Sequence, residues 1–244
     1  MRYFVKLSYK GTHYHGWQYQ PNALSVQEEL EKAFSLILRA KIALTGAGRT
    51  DTGVHAKNFI AHFDTEKALD TKQLKEFVYK LNSYISKDLA IHNIYQVEER
   101  MHARFDAKER TYQYFITTTK NPFVTESAWY VHGKLDIDKM NQACNLLKQY
   151  SDFGSFAKLH SDNKTNICVL KEAQWETKDE LLVFTIKADR FLRNMVRAIV
   201  GTMVDIGQGR TSLQNFKEII ESKNRNRAGR SAPAQGLFLT DIKY

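Results

Sequence analysis

Along the first hundred residues the hydrophobic period switches in a set order, and few folds accept that order. Residues 2–9, Arg-Tyr-Phe-Val-Lys-Leu-Ser-Tyr, alternate and are rich in β-formers, which predicts a strand. Ser25-Val-Gln-Glu28 reads as a capping box, and Val26, Leu30, Ala33, Phe34, Ile37 and Leu38 follow at helical spacing. A strand at 41–45 comes next, then a second at about 57–64 with Phe59, Ala61 and Phe63 alternating. Leu74, Phe77, Val78, Leu81 and Ile85 mark a second helix, and residues 89–98 a further strand. Strand–helix–strand–strand–helix–strand is a ferredoxin-like pattern, an α+β unit of about a hundred residues.

The second half repeats the mixture of elements. Thr111–Phe115 predicts a strand with Tyr112 and Tyr114 on one face. Asp136 caps a helix carrying Met140, Ala143, Cys144 and Leu147, and strands at 166–177 and 181–188 form a hairpin around Thr177–Glu180. A helix is expected from near Asp189. At about 100° per residue it places Arg190, Arg193 and Arg197 in one stripe and Phe191, Leu192, Met195, Val196, Ile199, Val200 and Met203 on the core side. Gly207 and Gly209 end that helix, Ser212 caps another, and Ala232–Leu239 leads into a final strand.

Between the third and fourth elements lies Thr45-Gly-Ala-Gly-Arg49-Thr-Asp51-Thr-Gly-Val-His-Ala56. Its three glycines permit turns that a side chain would block, and an acid on such a loop beside a strand end suits catalysis. A phosphate loop is excluded because no Lys-Ser or Lys-Thr follows the glycines, and the dinucleotide fingerprint lacks its third glycine. An ordinary hairpin whose Asp51 caps a turn remains open at this point. The preceding segment Gly11–Pro21 interleaves aromatics with polar groups, a composition suited to base stacking or a sugar-phosphate contact. His13-x-His15 has no third ligand nearby, so a metal site is not expected.

Gly-Arg-Thr-Asp-x-Gly-Val-His (48–55) resembles the signature of the tRNA pseudouridine synthase A family. Similarity extends over most of the chain: Arg-x-Tyr-x-Tyr (110–114) resembles the family's second motif, and Phe-Leu-x-x-Met-Val-Arg (191–197) its third. Lys10 stands where an acid is common, and Asn163-Lys164 departs from an arginine-bearing pattern. The resemblance implies that Asp51 is the covalent catalyst, that Arg197 pairs with it and that Tyr112 faces the target base. Cross-strand packing is the alternative for Tyr112. Arg49 would fill the gap left by a flipped nucleotide. Leu237 would pack against the base, with ordinary strand core the alternative. The implied substrate is tRNA at uridines 38–40 of the anticodon arm, handled by a homodimer without a cofactor or metal. The fold expected is α+β, two ferredoxin-like or RRM-like subdomains with mainly antiparallel sheets around a central RNA-binding cleft. Residues 1–105 would carry the Asp51 loop, and residues 106–244 the Tyr112 strand and Arg197 helix.

Composition is consistent with this. The chain of 244 residues has a formal net charge of +9, which favours a polyanionic partner. No apolar run approaches the roughly 18 residues of a spanning helix, and no signal peptide is expected ahead of the first strand. Cys144 and Cys168 lack metal spacing and read as reduced packing residues of a cytoplasmic protein. Lys158, His160 and Lys164 in the loop 157–165 are candidate phosphate contacts. A non-catalytic RNA-binding protein would leave Asp51 unexplained, since an acid in an RNA cleft repels phosphate. An RNA-cleaving or glycosidic enzyme would need a paired acid, which residues 45–56 do not offer.

Overall fold

The computed structural model describes residues 1–159 and 164–244. It is a mixed α+β protein whose strands pair mostly antiparallel, with five α-helices among the described residues. Two compact units divide it: Met1–Lys108 with Leu239–Tyr244, and Glu109–Phe238. The last six residues thus belong with the first unit, whereas the sequence placed all of 106–244 together.

In the first unit, β1 (Arg2–Tyr9) lies between β3 (His55–Asp64) and β4 (Leu89–Val97), antiparallel to both. The expected strand at 41–45 shrinks to β2 (Thr45–Gly46), paired with His62 and Ala61 of β3. Residues 41–44 make other bonds. Leu44 N–H donates to the Glu31 carboxylate at 2.8 Å and Ile42 N–H to Ser35 Oγ at 2.9 Å, both on α1 (Val26–Leu38). Helix side chains therefore satisfy backbone groups that a sheet would otherwise have taken. Only half of the predicted capping box forms at Ser25. Its hydroxyl accepts from Glu28 N–H at 3.2 Å, but the Glu28 carboxylate pairs with Lys32 instead. The reciprocal box occurs on α2 (Thr71–Tyr84), where Asp70 and Gln73 exchange bonds of 2.8 Å. Phe34, Phe63 and Phe77 meet edge to face, at centroid distances of 5.1–6.3 Å, joining both helices to the sheet.

His62 of β3 is buried, and its Nδ1 accepts the Ala103 N–H at 3.1 Å. Burial, aided by the Arg2 and His102 charges, pushes its pKa from 6.5 down to about 4. The folded value lies below the unfolded one. Its contribution to stability is therefore complete above pH 6.5 and is lost as the pH falls towards 4. His62→Gln is expected to lose less stability than the parent over that window, read from urea midpoints. Parallel losses would contradict the assignment.

The second unit carries β5 (Glu109–Thr117), β7 (Leu170–Lys178) and β8 (Leu181–Ala188), with β8 antiparallel to both. The short strand β6 (Trp129–Tyr130) runs parallel beside β5. The hairpin forms at the expected place but later, since β7 starts at Leu170 and its loop is only Asp179–Glu180, at φ of 46° and 64°. Two positive-φ residues make the primed turn that matches strand twist. Helices α3 (Ile137–Leu147), α4 (Met195–Gly207) and α5 (Leu213–Ser222) complete the unit, followed by β9 (Leu237–Lys243), which starts here and finishes in the first unit. Nearly all of α4 is buried, and Met203 receives the Trp175 indole N–H at 3.3 Å. Both cysteines are buried free thiols, pushed by burial to about 12 for Cys144 and about 11 for Cys168. No helix among the described residues is long and apolar enough to cross a membrane.

Candidate active site

The loop after β2 returns to β3 under tight control. Ala47 N–H donates to Ile60 O at 2.8 Å, and Val54 N–H to Asp51 O at 3.1 Å, closing a turn whose first residue is Asp51. Thr50 is buried, with Arg49 exposed on one side of it and Asp51 half-buried on the other. Gly53 turns at φ 78°, and a side chain on Gly46 would strike the Trp17 ring at 2.5 Å. Gly48 is different from expectation: it has open space around it and no positive φ, so it is not needed for the turn.

What holds the loop is the segment 11–17, and this corrects the base-stacking reading of Gly11–Pro21 for Tyr14 and Trp17, while Tyr19 of the same stretch is exposed. Tyr14 and Trp17 are buried. The Trp17 ring stacks on Phe59 at 4.2 Å and the Trp17 backbone N–H donates to Thr50 O at 3.4 Å, while Gly53 N–H donates to Tyr14 O at 3.3 Å. Tyr9 and Thr50 share a hydroxyl bond of 2.9 Å, and buried His55 accepts Gly11 N–H on Nδ1 at 3.0 Å. The Tyr14 hydroxyl reaches Glu29 at 2.7 Å, so α1 also braces the arrangement, and burial raises the phenol's pKa. Tyr9, Trp17 and His55 were not singled out as site residues, because their contacts cross about 40 positions and leave no periodic trace. Gly16, at φ 85°, would place a Cβ 2.3 Å from Thr50 O. Gly16→Ala is expected to destabilise the protein by about 2–5 kcal/mol through left-handed strain plus overpacking. A lowered thermal midpoint checks this, and an unchanged one would contradict it.

In the second unit Tyr112 is half-buried opposite Ile186, and its ring forms a T-shaped pair with Phe191, centroids 5.1 Å apart. Tyr114 is fully buried, and its hydroxyl donates to Pro233 O at 2.7 Å. The expected arginine stripe does not form. Residues 189–194 are not helical, and α4 begins only at Met195, after Asn194 takes the left-handed conformation at φ 65°. The reason is local: Asp189 Oδ1 accepts from Val169 N–H at 2.8 Å and Arg190 N–H at 2.7 Å, tying that stretch to the chain entering β7 rather than capping a helix. Arg197 alone of the three lies on α4. It is half-buried, and its Nε donates to Ala232 O at 2.7 Å while its own carbonyl accepts Ala232 N–H at 2.9 Å. Arg197 therefore shares one neighbourhood with Tyr114 and residues 232–233, a few positions before buried Leu237. Lys158 N–H bonds Arg193 O at 2.9 Å, and Lys164 is exposed. His160 and Asn163 lie outside the described residues. Among the described residues no group of three His, Cys, Asp or Glu could hold a metal ion.

A model of the tRNA pseudouridine synthase family matches residues 143–244. A tRNA pseudouridine synthase A of Bacteroides fragilis is 52% identical over 100% of this chain and 96% of its own length. The chain belongs to the tRNA pseudouridine synthase A family. The Bacteroides thetaiotaomicron protein of that name is 50% identical, covering 100% of this chain and 90% of its own. The Acetivibrio thermocellus one is 38% identical, covering 98% and 97%. Membership in the tRNA pseudouridine synthase A family thus rests on the entire length, the Asp51 loop included, and not only on the C-terminal part that the family model matches.

Proposed function

We propose that this chain isomerises uridine to pseudouridine in tRNA, at positions 38, 39 and 40 of the anticodon stem-loop, by covalent catalysis through Asp51. The observation that carries the reading is the clamped, half-buried presentation of Asp51 within a full-length family match. In the reaction the C1′–N1 bond breaks, the uracil turns, a C1′–C5 bond forms, C5 loses its proton and N1 gains one. Nothing is oxidised or reduced, so no cofactor or metal is required by the balance. Asp51 supplies the carboxylate nucleophile.

Burial around a bound base would oppose that charge, and Arg197 is the cation assigned to offset it, since a guanidinium can hold a carboxylate through two bonds. Tyr112, whose ring forms a T-shaped pair with Phe191, is assigned to stack on the base, and its hydroxyl is the candidate to take the C5 proton. Arg49, exposed beside Asp51, fills the space of the flipped nucleotide, and Leu237 contributes an apolar wall. In this reading each unit is a ferredoxin-like subdomain, and the enzyme acts as a cytoplasmic homodimer.

Isomerisation leaves mass unchanged, so the test is chemical labelling of pseudouridine in tRNA treated with the purified protein. Absence of label at all three positions would overturn the proposal. Affinity should also depend steeply on salt. About 6–10 phosphate contacts would cost roughly 10³-fold in affinity between 50 and 200 mM salt, the low end because RNA slopes are shallower than those of B-DNA. A salt-independent Kd would argue against tRNA as the partner.

A further inference from the structure

The turn from Met101 to Asp106 has no part in the chemistry above, yet it is pinned on every side. Ala103 N–H donates to His62 at 3.1 Å, and Ala103 O accepts the Tyr244 hydroxyl at 2.6 Å. Met101 O accepts from Arg2 at 3.0 Å, and Asp106 takes the His102 N–H at 2.6 Å. His102 Nδ1 in turn accepts the N–H groups of Arg104 and Phe105, at 3.1 and 3.3 Å. Burial and the Arg2 charge lower the His102 pKa, which keeps that nitrogen an acceptor.

On this fixed turn Phe105 stands 74% exposed. Its ring leans on His102, with centroids 4.3 Å apart, and the Arg104 guanidinium carbon lies 5.5 Å from the ring centre. Arg104 and Asp106, the sequence neighbours of the ring, are exposed and charged, so the ring is flanked along the chain by charge. A protein interface needs a contiguous apolar patch with an area far beyond one ring. A nucleobase needs only one π-face, and a cation beside it suits the adjoining phosphate. Because the backbone is already held, little ordering entropy would oppose binding.

We propose that Met101–Asp106 is an RNA-stacking platform, in which Phe105 receives an unpaired base of the tRNA and Arg104 the phosphate next to it. This rests on the proposed tRNA reading and adds a contact remote in sequence from Asp51, Tyr112 and Arg197. The experiment compares Phe105→Ala, Phe105→Leu and Phe105→Trp in the full-length protein, measuring tRNA affinity at fixed salt, thermal midpoint and sedimentation. Removing a stacked base contact should raise Kd about 5- to 150-fold in the Ala variant. The Leu variant, apolar but without a π-face, should resemble Ala, and Trp should restore binding, with thermal midpoints unchanged throughout. Ala binding within twofold of the parent overturns the platform, as does Leu binding like Phe. A shift of oligomeric state in the Ala variant, with affinity per assembled enzyme unchanged, assigns the ring to a protein contact and also overturns it. If the parent makes pseudouridine while any of these holds, the platform alone has failed. A parent that neither binds tRNA nor forms product overturns the functional reading and the platform with it.

Discussion

Asp51→Asn is expected to lower pseudouridine formation by at least about 10⁴-fold, the scale seen when a nucleophile is removed from a covalent mechanism. Affinity for tRNA should stay within a few-fold. The structure explains why the two effects separate. Val54 N–H to Asp51 O, Gly53 N–H to Tyr14 O and Trp17 N–H to Thr50 O hold the loop through backbone groups, and the Thr50 hydroxyl holds it through Tyr9. None of these four bonds uses the Asp51 side chain, so an amide of the same shape leaves them intact. Single-turnover labelling with enzyme free of host activity is the measurement, alongside a thermal midpoint to show that the variant folds. Residual turnover near the parent rate would remove Asp51 from the mechanism.

Arg197→Lys is expected to lower single-turnover rate about 10²-fold with a smaller change in KM. The guanidinium has to do two things. Its Nε is committed to Ala232 O at 2.7 Å, fixing residues 232–233 against the start of α4, and in the proposed pairing its terminal nitrogens are the ones that meet the carboxylate. One ammonium cannot fill both places. Charged hydrogen bonds are worth about 1.5–3 kcal/mol each, and every 1.36 kcal/mol is tenfold in rate. Arg193→Lys is the internal control, since Arg193 is exposed in the turn before α4. Near-normal rates for Arg197→Lys, or an equal loss for Arg193→Lys, would take the partner role away from Arg197.

Periodicity located most of the elements because it reports which face of a helix or strand leaves water. That signal is strong at α1, α3 and β3, where apolar residues recur at regular spacing. It misled at 189–194. Phe191 and Leu192 fit a helical arc there, but the Asp189 side chain bonds Val169 and Arg190 N–H groups, and Asn194 turns left-handed before α4 can begin. A polar side chain satisfying distant backbone groups has no period to detect. The strand expected at 41–45 failed for the same reason, with Glu31 and Ser35 taking its bonds.

The sequence by itself determined the family to which the chain belongs, and with it the expectation that the loop around Asp51 carries the chemistry, because both reside in residue types at short fixed spacing. Only the tertiary structure decided what segment 11–17 does. Tyr14 and Trp17, which in the string Gly11–Pro21 look made for stacking on bases, are buried, because Gly11 and Gly16 bring the two loop backbones into contact, while Tyr19 stays exposed. It was likewise packing that left Phe105 in solvent on a turn held by His62, His102 and Tyr244. Burial is a property of neighbours many positions away, and one residue's identity does not carry it.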